Sequence, residues 1–93
     1  MIRARIPQII DLGNAIKLYY MRIELSNADI ETLFGKHSRS TVAKLKKMAQ
    51  NKMVEKNIMP LNALHVNTAA AYEAWGLDIN DLEHRFKKLK QLA

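Results

Sequence analysis

Apolar residues recur along this chain at helical spacing, interrupted by capping and turn residues. Ile9, Leu12, Ile16, Tyr19, Tyr20 and Ile23 mark one face of a first helix over 8–22. Pro7 suits its first turn, where a missing N–H costs nothing. Gly13 costs this helix roughly 1 kcal/mol relative to alanine and points to a close helix–helix contact. Arg22 to Leu25 alternates briefly and connects to a second helix.

Ser26 is an N-cap, with Asp29 three residues on to return the hydrogen bond and favour the helix dipole. Leu25 and Ile30 are spaced as a hydrophobic staple, and Ile30, Leu33 and Phe34 form the buried face. Gly35-Lys36-His37 reads as a turn. Ser38 caps a third helix running to about Lys56, with Val42, Leu45, Met48 or Ala49, and Met53 on its seam. Asn57 can close it, and Pro60 forbids continuation.

Leu61 to Val66 fits either an irregular loop or a short β-ribbon. Asn67 caps a short helix, Thr68 to Trp75, ended by Gly76. Asp78 starts the last helix, with Leu77 and Leu82 as another staple and Leu82, Phe86 and Leu89 as its apolar positions. The expected fold is all-α: a compact four- to five-helix domain spanning 1–93, with residues 67–92 serving packing or dimerisation. No repeat, low-complexity tract or second domain is visible.

Charge changes this picture. The 93 residues carry a formal net charge of +6. Residues 36–56 hold seven basic side chains, Lys36, Arg39, Lys44, Lys46, Lys47, Lys52 and Lys56, against Glu55 alone. That segment therefore accounts for the whole excess, and the rest of the chain balances. Segregated positive charge is the electrostatic footprint expected against a phosphate backbone.

Other chemistry finds little support. The chain has no cysteine, which excludes disulfides, zinc fingers and thiol catalysis. His65 and His84 lack metal-ligand spacing, and no cofactor is expected. No Ser-His-acid, paired-carboxylate or glycine-cradle pattern stands out, so the protein is not expected to be an enzyme. No apolar run approaches the roughly 18 residues needed to span a bilayer, so no membrane partner is expected. The N-terminal Met1-Ile2-Arg3-Ala4-Arg5-Ile6-Pro7 stretch has basic residues but no following apolar core or cleavage site, so it does not read as a signal peptide and a cytoplasmic location is the default. Tyr19, Tyr20, Tyr72, Trp75 and Phe86 could stack bases, but their helical settings favour core or interface roles.

Helix, tight turn, then a polar and basic helix is a DNA-reading layout. Residues 26–47 resemble the helix-turn-helix of small bacterial and phage transcriptional regulators, within a core of 26–56. In that family a glycine closes the first helix and a serine caps the second, as Gly35 and Ser38 do here. The turn is one residue longer than the commonest form, and Glu31 lies near where the family usually has a small residue. Winged-helix regulators often carry a similar Ser-Arg-Ser-Thr-Val run, so plain and winged forms both remain open. The resemblance implies double-stranded DNA as partner and puts Arg39, Ser40 and Lys44 against base edges.

The residues support this reading without the family. Only the outward N-terminal turns of a helix in the major groove reach base edges. Arg39 could make the bidentate contact to guanine, worth roughly 1–3 kcal/mol of discrimination. Ser40 and Thr41 are short enough for close approach, and Lys44 can reach a base or a phosphate. Lys36, His37, Ser38 and Lys47 suit phosphate. A homodimer would double the contacts on a palindromic site. Two alternatives use the same residues: an excisionase-like architectural accessory that bends DNA, and a helical protein-interaction module whose basic face docks an acidic partner.

Overall fold

The computed structural model describes residues 6–92; the first five residues of the Met1–Pro7 stretch weighed against a signal peptide lie outside them. Five helices and one two-stranded sheet follow in the order α1 (Leu12–Met21), β1 (Glu24–Leu25), α2 (Asn27–Phe34), α3 (Arg39–Glu55), β2 (Val66–Asn67), α4 (Thr68–Ala74) and α5 (Ile79–Leu92). The architecture is mainly helical, as the apolar spacing predicts, with a minimal β-bridge added.

Capping chemistry sets most boundaries. Ser26 and Asp29 form the reciprocal capping box of α2. The Ser38 hydroxyl accepts from the Thr41 N–H at the start of α3, and the Asn67 side chain accepts from the Ala70 N–H at the start of α4. The far ends of α3 and α4 close alike. Asn57, at φ 58°, lets its N–H reach the Val54 carbonyl while the Ile58 N–H reaches that of Met53. Gly76, at φ 73°, and Leu77 repeat this six-to-one pattern on Glu73 and Tyr72.

Helix α1 starts later than Pro7 predicts. The Asp11 carboxylate caps it by accepting from the Asn14 N–H at 3.0 Å, and the Ile10 N–H is instead bonded to the Leu33 carbonyl. Residues 6–10 therefore run as an irregular strap, with Ile10 against the end of α2 and Ile6 to Ile9 beside Trp75, Leu77 and the start of α5. Gly13 meets the Phe86 ring of α5: a Cβ there would lie 3.6 Å from it, within van der Waals contact.

Of the two alternatives for 61–66, residues 61–65 take the irregular loop and Val66 opens β2. No strand occurs in 58–65, so α3 is not followed by a hairpin wing. Instead Leu25 pairs antiparallel with Val66, and Glu24 with Asn67. The Glu24 carboxylate accepts from the backbone N–H groups of Leu61 and Asn62 and lies 3.6 Å from His65 Nδ1. The Glu24 side chain and a turn at Asn62–His65, closed by the His65 N–H on the Asn62 carbonyl at 3.0 Å, shape this loop, and the turn is made without a glycine.

One core joins the elements. Ala15, Leu25, Ile30, Leu33, Phe34, Leu45, Ala49, Met53, Val66, Ala70, Ala71, Tyr72, Trp75 and Leu82 are all buried. Ala49 on α3 and Ala70 and Ala71 on α4 let those two helices approach closely. The Trp75 ring packs edge-on against Phe34, centroids 5.2 Å apart, and its indole N–H donates to the Leu45 carbonyl at 2.9 Å. Buried Tyr72 donates its hydroxyl to the Ala15 carbonyl, and burial pushes its pKa well above the ordinary tyrosine value. Trp75 thus ties α3 to α4, and Tyr72 ties α4 to α1.

Candidate nucleic-acid interface

The seam Leu45, Ala49 and Met53, flanked by half-buried Val42 and Met48, turns one side of α3 into the core. The opposite side is set by the same periodicity. Ser40, Lys44, Lys47 and Asn51, at spacings of four, three and four, form an exposed strip along the outside. Arg39 stands about 140° from Lys44 around the axis, so these two do not share a direction. Arg39 belongs with Ala43 and Lys46 on the flank that faces α2.

All the sequence-predicted residues except Lys36 thus fall into three groups. Ser40, Lys44 and Lys47 are brought together on the outer strip. Arg39 and His37 line a separate cleft of about 480 Å³ between α2 and α3. Thr41 and Ser38 are occupied locally: the Ser38 hydroxyl sits 3.0 Å from the Ser40 hydroxyl and 3.1 Å from that of Thr41, besides capping the helix. Half-buried Thr41 turns toward the seam, four residues before Leu45, and this weakens its case as a base reader. His37 is partly committed as well. Its Nε2 donates to the Phe34 carbonyl at 2.9 Å, closing the end of α2 and leaving Nδ1 for another partner. Lys36 is exposed in the turn.

Three further polar residues join the surface. Lys46 and Asn27 line the cleft, and Asn51 extends the outer strip. The signal for Lys46 was present in the chain, seven residues after Arg39 on the same helical flank. Asn27 belongs to α2, and no local spacing relates it to α3.

The electrostatics separate the two ends of α3. Lys52 pairs with Glu55 at 3.3 Å and Lys56 with Glu73. By contrast, no carboxylate of the described residues comes within 4.0 Å of Lys36, Arg39, Lys44, Lys46 or Lys47. The start of α3, like those of α1 and α4, has no acidic residue in its first turn, whereas α2 has Asp29 and α5 has Asp81. A helix N-terminus carries partial positive charge and is stabilised by anions, so Arg39 there works against the helix's own stability. The N-terminal half of α3 is a concentration of positive charge with no carboxylate partner within 4.0 Å among the described residues, at the positive end of the helix dipole.

No group of three histidine and carboxylate side chains among the described residues is placed to hold a metal ion. No helix among them is long and apolar enough to cross a membrane. Comparison with protein-family models, curated proteins and solved structures finds no match for this chain.

Proposed function

We propose that this protein binds double-stranded DNA sequence-specifically, as a small transcriptional regulator of bacterial, phage or mobile-element type. In this reading α2 and α3 act as a helix-turn-helix, with α3 in the major groove. The observation that carries it is the unpaired cationic surface on the first half of α3, at a helix start that carries no acid of its own. Binding strength comes mainly from phosphate neutralisation and counterion release, through Lys36, Lys44 and Lys47. Sequence choice comes from Arg39 and Ser40 at base edges, with Lys44 able to serve either purpose. No catalytic chemistry is required. A second copy on a palindromic site would double these contacts, with the exposed Leu89 and Leu92 of α5 available to it.

Selection of bound duplexes from a random pool tests the reading directly. An enriched motif is expected, and Arg39→Ala should relax preference at one base position by about 1–3 kcal/mol. Absence of duplex binding at low salt, by a folded protein, rejects it.

A further inference from the structure

Of the ten large apolar side chains that lie open on the described surface, four fall within the short segment 54–64: Val54, Met59, Leu61 and Leu64, at 76%, 85%, 81% and 71% exposure. They belong to one surface. Val54, Ile58, Pro60 and Ala63 line a single hollow of about 210 Å³ where the end of α3 meets the loop after it, and Met59, Leu61 and Leu64 are interleaved with them along that loop. The backbone beneath is fixed. Glu24 accepts from the Leu61 and Asn62 N–H groups, the Asn62 side chain accepts from the Leu64 N–H at 2.9 Å, and the Ile58 N–H is bonded to the Met53 carbonyl at 2.9 Å. Apolar side chains held in water by a fixed backbone can be covered by a partner with little ordering cost in the loop.

We propose that this face is a two-fold interface with a second copy of the chain. The four side chains expose on the order of 500 Å², as much as the largest apolar patch of an ordinary monomer and over half of the roughly 800 Å² that each partner of a stable interface buries. An isologous contact sets a surface against itself, so its charges must balance. They do at this end of α3, where Lys52 pairs with Glu55 and Lys56 with Glu73. The other apolar surface open to a copy, Leu89 and Leu92 on α5, is flanked by Lys87, Lys88 and Lys90 with no carboxylate within 4.0 Å among the described residues, and it repels its own image. The interface stands apart from the DNA-binding reading, and only its consequence for spacing rests on it. From Val42, amid the base-reading turns, to Val54 is about 18 Å of helix axis. A two-fold axis beside Val54 therefore separates the two sets of reading turns by up to about 36 Å, which reaches the roughly 34–36 Å between half-sites one turn of DNA apart.

Sedimentation equilibrium over a concentration series tests this with wild type, Met59→Ser with Leu64→Ser, and Leu89→Ser with Leu92→Ser. All four substituted side chains are more than half exposed, so each variant keeps the core, and circular dichroism checks that it does. Wild type should approach the mass of two chains. The loop pair should raise the dimer dissociation constant by on the order of 100-fold, and the α5 pair should leave it unchanged. Duplexes selected by wild type should be palindromes with half-sites roughly 10 base pairs apart, which the loop variant binds more weakly. A wild type that stays monomeric into the high-micromolar range, or a dimer dissolved by the α5 pair instead, would overturn the proposal while leaving the DNA reading standing. A dimer dissolved by the loop pair in a protein that binds no duplex would reject the DNA reading and uphold the interface.

Discussion

Two basic helices in this protein look alike in composition and differ in how firmly the fold holds their charges. Helix α3 carries Arg39, Lys44, Lys46 and Lys47, and α5 carries Arg85, Lys87, Lys88 and Lys90. The first half of α3 is capped by Ser38, flanked by α2 across a cleft, and fixed from behind by the Trp75 indole on the Leu45 carbonyl. Its cations have no carboxylate within 4.0 Å among the described residues, and the same holds for Lys87, Lys88 and Lys90 of α5. On α5, Arg85 pairs with Asp81 at 3.1 Å, and the Lys90 ammonium lies 5.0 Å from the centre of the Phe86 ring. Beyond Phe86 every described residue is exposed, and the leucine seam runs out with Leu89 at 54% and Leu92 at 84% exposure. Lysines on an unsupported helix end are a solvated surface. The same charge on a helix held from three sides has a fixed spacing, which a repeating phosphate lattice can match.

That contrast is broken most severely by removing the support. Trp75→Ala deletes a buried ring, its edge contact with Phe34 and the bond to α3, and should cost about 3–5 kcal/mol in urea unfolding. Loss of duplex binding at temperatures where the variant is still folded would show that the position of α3, not its charge, was the decisive part. Next in size is a direct comparison of the two helices. Lys44→Ala with Lys47→Ala should lower the slope of log affinity against log salt by about 2, since each lost phosphate contact removes about 0.9. Lys87→Ala with Lys88→Ala removes as much charge and should leave that slope unchanged. Equal slopes for the two pairs would mean that net charge, not the scaffold, governs binding.

How much of this was legible in the chain depends on the range of the interactions. Local chemistry was readable: Ser26 with Asp29, Ser38, Asn67, Gly76 and Asn57 each act within a few residues of themselves, and the helices they bound stand where they predict. Contacts between distant segments were not. Proline at position 7 suggested an early start for α1, yet Asp11 caps it because Ile10 is bonded to Leu33. The bridge between Leu25 and Val66 joins residues 41 positions apart, and two-residue strands leave no periodicity to detect. The candidate surface was legible in composition and less so in direction. Ser40, Lys44 and Lys47 share a face as their spacing requires, whereas Thr41 falls on the seam side, a position that its spacing to Leu45 already implied. The pairing of Arg39 with an α2 wall depends on tertiary packing, which no local pattern encodes.

A finer test separates the stability of α3 from its affinity. Ser38→Ala removes the cap and should cost about 1 kcal/mol. Ser38→Asp keeps an N-cap acceptor and adds a charge that the helix dipole favours, so stability should recover or rise. On the proposed interface that same charge meets phosphate, and duplex affinity should fall. Aspartate variants that melt like wild type and bind like wild type would place phosphate elsewhere.

The smallest expected effect lies at the paired end of α3, where the comparison between compensated and uncompensated lysines can be read by titration. The Lys56 ammonium hydrogen-bonds the Glu73 carboxylate and, with a smaller contribution from Lys52, holds its pKa below the ordinary carboxylate range, although slight desolvation opposes this. A carboxyl that is more acidic in the folded than in the unfolded chain adds stability above its unfolded pKa and loses it as pH falls through the folded value. Glu73→Gln should therefore melt slightly below wild type at neutral pH. The gap should close as the solution is acidified through that range, and it should narrow with added salt because both side chains are about half exposed. A gap that persisted in acid would assign Glu73 a packing role in joining α4 to the end of α3. Closure of the gap would mark Lys56 as compensated within the fold, and so outside the set of lysines free to neutralise phosphate.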